Sequence, residues 1–328
     1  MQHASYSYNI IENASDGAII ILFHYLLMFC GGTKMKNLYL DHNVYIEALE
    51  NERLNASLRG LMDKKIQCLY SPAHIEEIYK VVANEKSQYK NKMKELINFI
   101  SIVTSDMEVI PTNTELVIKK EHPKVCYSRV SSIDTRERVK EDSCIKYTED
   151  KNNYLKLLHE DKHNSSLSSI EPEKIWESPI IVKYILDFNN NIDFIIEKYN
   201  TSLEVQMLSI FNVDKTLPDN FCLRRGNFAE LEISHKQLEY TIEILFRILN
   251  FAGYCSEKSE QTSISGTHDV SHAIYATKAD FLVTMDRRFA KKCKAVYNFL
   301  GVRTSVIFCK QNEVVNVLEN IVTESDVI

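Results

Sequence analysis

Short apolar runs alternate with longer segments of helical periodicity at both ends of the chain. Near the amino end, NLYL and IQCL are apolar enough for buried strands, and each precedes a segment with apolar residues every three or four positions. Ser71 and Pro72 form a typical N-cap and first helical position. The pattern predicts strands over residues 36–41, 66–70, 107–111, 280–285 and 304–309, and helices over residues 44–62, 72–102, 269–278, 287–300 and 312–321.

A long polar segment separates the two regions in which strands and helices alternate. We expect residues 113–261 to be a mostly helical insertion, with a soft loop over 163–173. Its apolar periodicity predicts helices over residues 175–188, 191–199, 203–211 and 237–251. Residues 35–112 and 262–328 then form one α/β domain, in which a mainly parallel sheet is covered on both faces and a site lies at the carboxyl ends of the strands.

Composition and charge narrow the classes of protein that fit. The formal net charge of −6 excludes a protein that coats nucleic acid through overall positive charge, so such binding has to depend on a local basic patch. Eight cysteines occur without a C-x-x-C pair, which fits neither a zinc ribbon nor a small secreted disulfide scaffold. A reducing cytoplasm is therefore the expected location.

One apolar run, over residues 18–30, raises the question of a membrane segment. It is shorter than the about 20 helical residues that cross a bilayer, and no Lys or Arg precedes it as in a signal peptide. We interpret residues 1–34 as an extension upstream of Met35, with a peripheral membrane anchor as the less favoured alternative.

Four acidic residues occupy positions that an α/β sheet brings to one edge. Asp41 ends the first strand, Glu77 lies on the helix after the second strand, Asp269 opens a later helix, and Asp286 ends the strand that follows. Carboxylates held close together repel unless a proton or a divalent cation neutralises them, and hard oxygen ligands suit Mg²⁺ or Mn²⁺. For each Asp taken alone, a role as a helix cap or turn former is the alternative.

Two motifs in the amino-terminal part resemble those of the PIN-domain nucleases, best known from the toxins of bacterial toxin–antitoxin pairs. YLDHNVYIEAL resembles the first motif, in which Asp41 is followed two places on by Asn43. SPAHIEEIYKV resembles the second, in which a Glu stands six residues after Ser71. That offset favours Glu77 over its neighbour Glu76 as the second acid.

The third and most specific motif lies near the carboxyl end. HDVSHAIYATKADFLVTMDRRF resembles the PIN segment that holds the third acid, Asp269, and the fourth, Asp286, with Thr284 before the latter. We expect Asp280 to be structural, at the opening end of its strand. The resemblance covers residues 35–110 and 262–310, and the long spacing between the second and third acids departs from the compact toxins.

The resemblance implies a three-layer PIN-like fold and metal-assisted hydrolysis of a phosphodiester, without a covalent enzyme intermediate. It favours RNA as the substrate, with single-stranded DNA, an inhibitor or antitoxin protein and a homodimer as open partners. Asn43 and Thr284 are interpreted as groups that hold the carboxylates or the attacking water, or as plain turn and strand-end residues. We expect His272 either to contact the scissile phosphate or, more simply, to form a local hydrogen bond. The expected ligands of Mg²⁺ or Mn²⁺ are Asp41, Glu77, Asp269 and Asp286.

The helix after the fourth acid, RRFAKKCK, is rich in cations next to the predicted site. Such a run is either a solvated helix face or a surface that binds phosphates. The predicted nucleic-acid-binding residues are Arg287, Arg288, Lys291, Lys292 and Lys294.

Two other functional classes are alternatives: a zinc metalloprotease and a binding protein without catalytic activity. His159, Glu160 and His163 spell H-E-x-x-H, the zinc metalloprotease pattern, with one of Glu171, Glu173 or Glu177 required as third ligand. The charged residues between the histidines favour a solvated helix end instead. A PIN-like binding scaffold without catalysis is disfavoured because all four acids are present.

Overall fold

Four parallel strands form the central sheet of the computed structural model, which describes residues 35–83, 87–112, 114–131, 164–181, 228–255 and 260–326. The strand order is β2-β1-β5-β6, and a separate antiparallel hairpin pairs β3 with β4. The predicted α/β class with a parallel sheet is thereby confirmed. The strands are β1 (Lys36–Leu40), β2 (Ile66–Leu69), β3 (Met107–Pro111), β4 (Leu116–Lys120), β5 (Phe281–Thr284) and β6 (Ser305–Phe308).

Helices connect the strands of the sheet and occupy the described part of the middle segment. Short 3-10 turns lie at Met62–Lys64, Asn164–Ser169, Pro172–Glu177, Ala276–Lys278 and Gln311–Glu313. The α-helices are α1 (His42–Glu50), α2 (Glu52–Arg59), α3 (Pro72–Ala83), α4 (Ser87–Thr104), α5 (Pro123–Ser131), α6 (Phe228–Leu231), α7 (His235–Phe251), α8 (Glu260–Tyr275), α9 (Arg287–Leu300) and α10 (Val314–Asp326).

Successive residues of the strands enter two different hydrophobic clusters, because side chains alternate between the faces of a sheet. In β1, Leu38 and Leu40 pack with the cluster that includes α1, α2, α4 and α10, whereas Tyr39 packs with α7, α8 and α9. In β5, Val283 joins the first cluster and Leu282 the second. Both faces are thus covered, which explains why Leu38, Tyr39 and Leu40 are successive buried positions.

The strand order reverses between β1 and β5. The chain passes from β1 through α1 and α2 to β2 on one side, and from β5 through α9 to β6 on the other. Two neighbouring connections that leave in opposite directions open a crevice beyond the carboxyl ends of their strands, where ligands bind in α/β folds. Asp41 follows β1 at this point, and its N–H donates to the Val283 carbonyl at 2.9 Å.

Three predicted helices differ from those in the structure. Asp269 was expected to open its helix, but it lies inside α8, which begins at Glu260. The segment predicted as one helix over 44–62 forms α1 and α2, which are separated by Asn51 in an extended conformation. The Asn51 side chain accepts the N–H of Leu54 at 3.1 Å, so it acts as the N-cap of α2. The segment predicted as one helix over 72–102 contains α3 and α4 as distinct helices.

The region predicted as an insertion contributes to the same core as the sheet. The β3–β4 hairpin crosses the boundary placed after residue 112, and β4 is a strand that the periodicity missed. Helix α7, predicted over 237–251, packs on α8 and α9, and its apolar residues share a cluster with Tyr39. Trp176 lies in a 3-10 turn rather than a predicted α-helix, and its indole N–H donates to the Ala295 carbonyl at 2.9 Å.

Some predictions fall on residues that the structure does not describe. These are the extension over 1–34 with its apolar run, the helices over 191–199 and 203–211, and the H-E-x-x-H motif of His159, Glu160 and His163. Among the described helices, none combines the length and the apolar character needed to cross a bilayer.

Candidate active site

Asp41 and Asp286 lie at the crevice between the two central strands and share one hydroxyl. The Thr284 hydroxyl donates to Oδ2 of Asp41 at 2.7 Å and accepts the N–H of Asp286 at 3.0 Å. Oδ1 of Asp286 in turn accepts the N–H groups of Arg288 at 2.7 Å and Phe289 at 3.0 Å, so this acid is also the N-cap of α9. Thr284 therefore holds a carboxylate, as one of its two sequence interpretations proposed.

The Asp41 carboxyl is buried, with 5% of its surface exposed. Burial raises the pKa of Asp41 from 3.8 to about 7, and the charges of Glu77 and Asp286 add to this rise, while the Thr284 hydrogen bond opposes it. The two other acids therefore act on Asp41 across the crevice. A cation placed among them would relieve this repulsion.

The Glu77 carboxylate lies between two imidazoles. Its Oε2 is 3.5 Å from Nε2 of His42, and its Oε1 is 3.4 Å from Nε2 of His272. His42 begins α1 directly after Asp41, and His272 lies on α8, so helices from both ends of the chain meet at this acid. The 3.4 Å contact does not have good hydrogen-bond geometry, and both Nε2 of His272 and Nδ1 of His42 are buried without a hydrogen-bond partner.

The third acid, Asp269, acts electrostatically on a buried thiol together with Asp41 and Asp286. Burial raises the pKa of Cys293 on α9 well above its usual value, and the charges of Asp269, Asp41 and Asp286 all contribute to the rise. Three acids from β1, α8 and the end of β5 thus act on a single side chain. Together with the effect of Glu77 on Asp41, this brings the four predicted acids into one region of the structure.

Buried tyrosine, serine and histidine side chains lie beneath the acids. The Tyr39 hydroxyl is 2.6 Å from Oγ of Ser71, 2.8 Å from Nδ1 of His272 and 3.5 Å from Nδ1 of His74. The rings of His74 and His272 meet edge to face at 4.7 Å. Because β1 and β2 are neighbours, Tyr39 and the residues just after β2 reach α8 together.

Four imidazoles in this region are neutral at pH 7. Burial lowers the pKa of His42 and of His268 to about 4 and that of His272 to about 3, and it lowers the pKa of His74 well below its usual value. The effect of Glu77 on His42 and His268 is in the opposite direction but smaller. Neutral imidazoles provide one N–H donor and one lone pair each.

The chemistry of these donors fits a hard divalent cation, although the structure does not arrange them around one point. Among the described residues, no group of three or more His, Cys, Asp or Glu side chains is placed to hold a metal ion together. The donor set itself consists of carboxylate oxygens, the ligands that Mg²⁺ and Mn²⁺ prefer. The buried Asp41 carboxylate, raised in pKa beside like charges, is the observation that supports the fit.

One predicted site residue does not contact the acids, and two acids outside the predicted set have other partners. Asn43 is exposed and makes no side-chain hydrogen bond to the described residues, so its interpretation as a group that holds a carboxylate finds no contact. His42, one residue earlier, takes the place against Glu77 because the first turn of α1 directs its side chain inward. Glu76 pairs with His268 at 3.8 Å, and Asp280 accepts the N–H of Asn37 at 2.7 Å at the opposite end of the sheet.

The basic helix α9 presents only some of its cations to solvent. Lys292 is 1% exposed, lies over the Phe246 ring and is 3.4 Å from Oδ1 of Asn250, so its predicted role as a nucleic-acid contact is wrong. Periodicity could not show that α7 covers this side of α9. Lys291 donates to the Ser168 carbonyl at 2.7 Å. Arg287 is exposed, and Arg288 and Lys294 are partly exposed.

Sequence reasoning missed several residues that the fold brings to the site. Lys80 lies one turn after Glu77 on α3, is partly buried, and interacts electrostatically with Glu77 and His268. Its helical offset from Glu77 was the available signal. The involvement of Tyr39, Ser71 and His74 depends on the neighbouring positions of β1 and β2, which no local pattern reveals.

Comparison with protein-family models, with curated proteins and with solved structures finds no match for this chain.

Proposed function

We propose that this chain is a metal-dependent nuclease with a three-layer PIN-like fold, which hydrolyses phosphodiester bonds and acts preferentially on RNA. The observation that carries the proposal is the electrostatic interaction among the predicted acids: Glu77 and Asp286 raise the pKa of Asp41 beside the crevice between β1 and β5, and Asp269 acts with Asp41 and Asp286 on Cys293. Crevices of this kind are where α/β folds bind ligands. The preference for RNA and a role as a toxin or defence effector rest on the resemblance of the motifs to PIN nucleases.

The four acids are the residues that would hold a divalent cation, Mg²⁺ or Mn²⁺. The chemistry that such a cation supplies is activation of a water molecule and stabilisation of charge on the leaving oxygen. The chain's own part is to hold the ligands in place: Thr284 orients Asp41, and the N-terminus of α9 orients Asp286. Ligands held by a second set of hydrogen bonds lose less entropy when they bind a cation.

Lys80 is our proposed contact for a substrate phosphate. Its ammonium group lies close enough to Glu77 and His268 to interact with both, and it forms no ion pair with the described residues. Burial lowers the pKa of Lys80 and the Glu77 charge opposes this, so a neighbouring anion keeps the ammonium form favoured. The Lys80 ammonium would provide the positive charge for a phosphate bound beside the acids.

Cleavage of labelled RNA and DNA by the purified full chain, with Mn²⁺, Mg²⁺ or EDTA, tests the proposal. Glu77→Gln and Asp286→Asn should each lower the rate by about 100-fold or more, because losing a ligand costs at least as much as losing a group that orients one. The matched controls are Glu76→Gln, beside Glu77 on the same helix, and Asp280→Asn at the far end of β5.

Both controls should retain most of the activity. Cleavage in EDTA, or full activity of Glu77→Gln, would contradict the mechanism. Binding of RNA without cleavage in any metal would favour a binding scaffold instead.

A further inference from the structure

The hydrogen bonds beneath the acids run in one direction that the structure determines. His74 is the starting point, because each of its ring nitrogens has a partner with a single possible role. Its Nδ1 accepts the backbone N–H of Ser71 at 3.1 Å, and its Nε2 lies 2.8 Å from the Leu40 carbonyl, which only accepts. His74 is therefore the neutral tautomer with its proton on Nε2.

The tautomer of His74 decides where the Ser71 hydroxyl points. Its two neighbours are the Tyr39 hydroxyl at 2.6 Å and Nδ1 of His74 at 3.3 Å, whose lone pair is already occupied by the Ser71 N–H. The shorter contact to an unoccupied lone pair is the better hydrogen bond. Ser71 therefore donates to Tyr39.

Tyr39 must then use its own proton on the remaining partner. Since its oxygen accepts from Ser71, its O–H donates to Nδ1 of His272 at 2.8 Å. A neutral imidazole that accepts at Nδ1 carries its proton on Nε2. In His272 that nitrogen is 3.4 Å from Oε1 of Glu77 without a hydrogen bond between them, so the chain of donors ends beside the carboxylate.

We propose that Tyr39 and His272 are positioning residues for Glu77: the Tyr39 hydroxyl selects the Nε2–H tautomer of His272, which places the protonated Nε2 at 3.4 Å from Oε1 of Glu77. The inference rests on the proposed function in taking Glu77 as a cation ligand. It adds a device that sets the orientation of this ligand from the core. His42 lies on the opposite side of the carboxylate, with its Nε2 at 3.5 Å from Oε2 of Glu77.

The first test is the tautomer of His272 in the unmodified protein, measured by ¹⁵N NMR of histidine-labelled full chain without metal. The His272 signals are assigned from their loss in His272→Gln. We expect a single neutral form with the proton on Nε2. A proton on Nδ1, or an equal mixture of the two forms, would overturn the proposal without any need for a variant to fold.

The second test compares two buried tyrosines in the same region. Tyr39→Phe removes the proposed donor, whereas Tyr45→Phe removes a hydroxyl that donates to the Leu69 carbonyl at 3.3 Å. The Tyr45 ring, which this change keeps, makes T-shaped contacts with the rings of His74 and Phe99. We expect Tyr39→Phe to weaken Mn²⁺ binding, measured by calorimetry, about tenfold, a loss typical of removing a group that orients a metal ligand. Tyr45→Phe should bind Mn²⁺ as the unmodified chain does.

Variants of His272 separate positioning from simple packing. His272→Leu fills the space without a donor and should lose about 10- to 100-fold in Mn²⁺ affinity. His272→Gln restores an N–H near Nε2 and should recover part of that loss. Equal Mn²⁺ affinity of Tyr39→Phe and Tyr45→Phe, or no difference between His272→Gln and His272→Leu, would refute the positioning role.

The outcomes distinguish this inference from the proposed function. A protein that shows the Nε2 tautomer and the Mn²⁺ effects but cleaves no nucleic acid would refute the nuclease proposal alone. A protein that cleaves RNA with Mn²⁺, yet shows the Nδ1 tautomer, would refute the inference alone.

Discussion

Replacing Asp41 with Asn should stabilise the metal-free protein at alkaline pH, although it removes a proposed cation ligand. The carboxyl group is buried beside the charges of Glu77 and Asp286, and its pKa rises from 3.8 to about 7. The amide of the Asp41→Asn variant would keep an oxygen that accepts the Thr284 hydroxyl while carrying no charge. The substitution therefore removes the ionisation penalty and retains the hydrogen bond.

The size of the effect follows from the shift in pKa. A rise of about three units corresponds to about 4 kcal/mol at a pH where the folded protein is fully ionised at this position. Because the pKa is higher in the folded state than in the unfolded chain, the folded state binds the extra proton. The stability gained from binding this proton at Asp41 is complete below pH 3.8 and is lost as the pH rises through about 7. Between pH 5 and 8 the loss amounts to roughly 3 kcal/mol.

Urea unfolding in EDTA at a series of pH values measures this contribution. The free energy of unfolding of the unmodified chain should fall relative to that of Asp41→Asn as the pH rises from 5 to 8. Asp280→Asn provides the control, because it removes a carboxylate at the other end of the sheet, where it holds the Asn37 N–H. Added Mn²⁺ should reverse the order at pH 8 by stabilising the unmodified chain. Parallel pH profiles for the unmodified chain and Asp41→Asn would show that folding does not raise the pKa of Asp41.

Three further predictions concern neighbouring groups. Asp286→Ala should lose about 1 kcal/mol of unfolding free energy in urea, because α9 loses its N-cap, whereas Asp286→Asn keeps the accepting oxygen and loses less; equal stabilities would argue against the capping role. Lys80→Met should weaken binding of an RNA oligonucleotide and lower the salt dependence of that binding by about one phosphate contact. Lys92→Met, which removes an exposed lysine paired with Glu50, should change neither, and an unchanged salt slope in Lys80→Met would exclude a phosphate contact. Thr284→Val should shift the pH at which stability is lost to a higher value, because the Thr284 hydrogen bond lowers the pKa of Asp41; urea unfolding across pH detects this, and an unchanged midpoint would count against it.

Much of the fold was predictable because its strands and helices have local signatures. The residues LYL at 38–40 are hydrophobic at successive positions, and Ser71 with Pro72 begins a helix, so β1 and α3 were evident. Asn51 carried the signal of an N-cap, but the apolar periodicity continues through it and concealed the break between α1 and α2. The short strand β4 is stabilised by its partner β3 rather than by its own pattern, and it was missed.

The positions of the acids relative to predicted strands and helices are local properties, so the amino-acid sequence alone indicates which acids could form the site. The side chains that surround these acids depend on how the elements pack. The reversal of strand order places Tyr39 and Ser71 under α8, and α3 meets α8 so that Glu77 faces His272. Packing of α7 on α9 likewise buries Lys292, although its neighbours in sequence are typical of a solvated helix. Such contacts depend on how distant segments pack, and the hydrophobic pattern specifies which face is buried but not which side chains it meets.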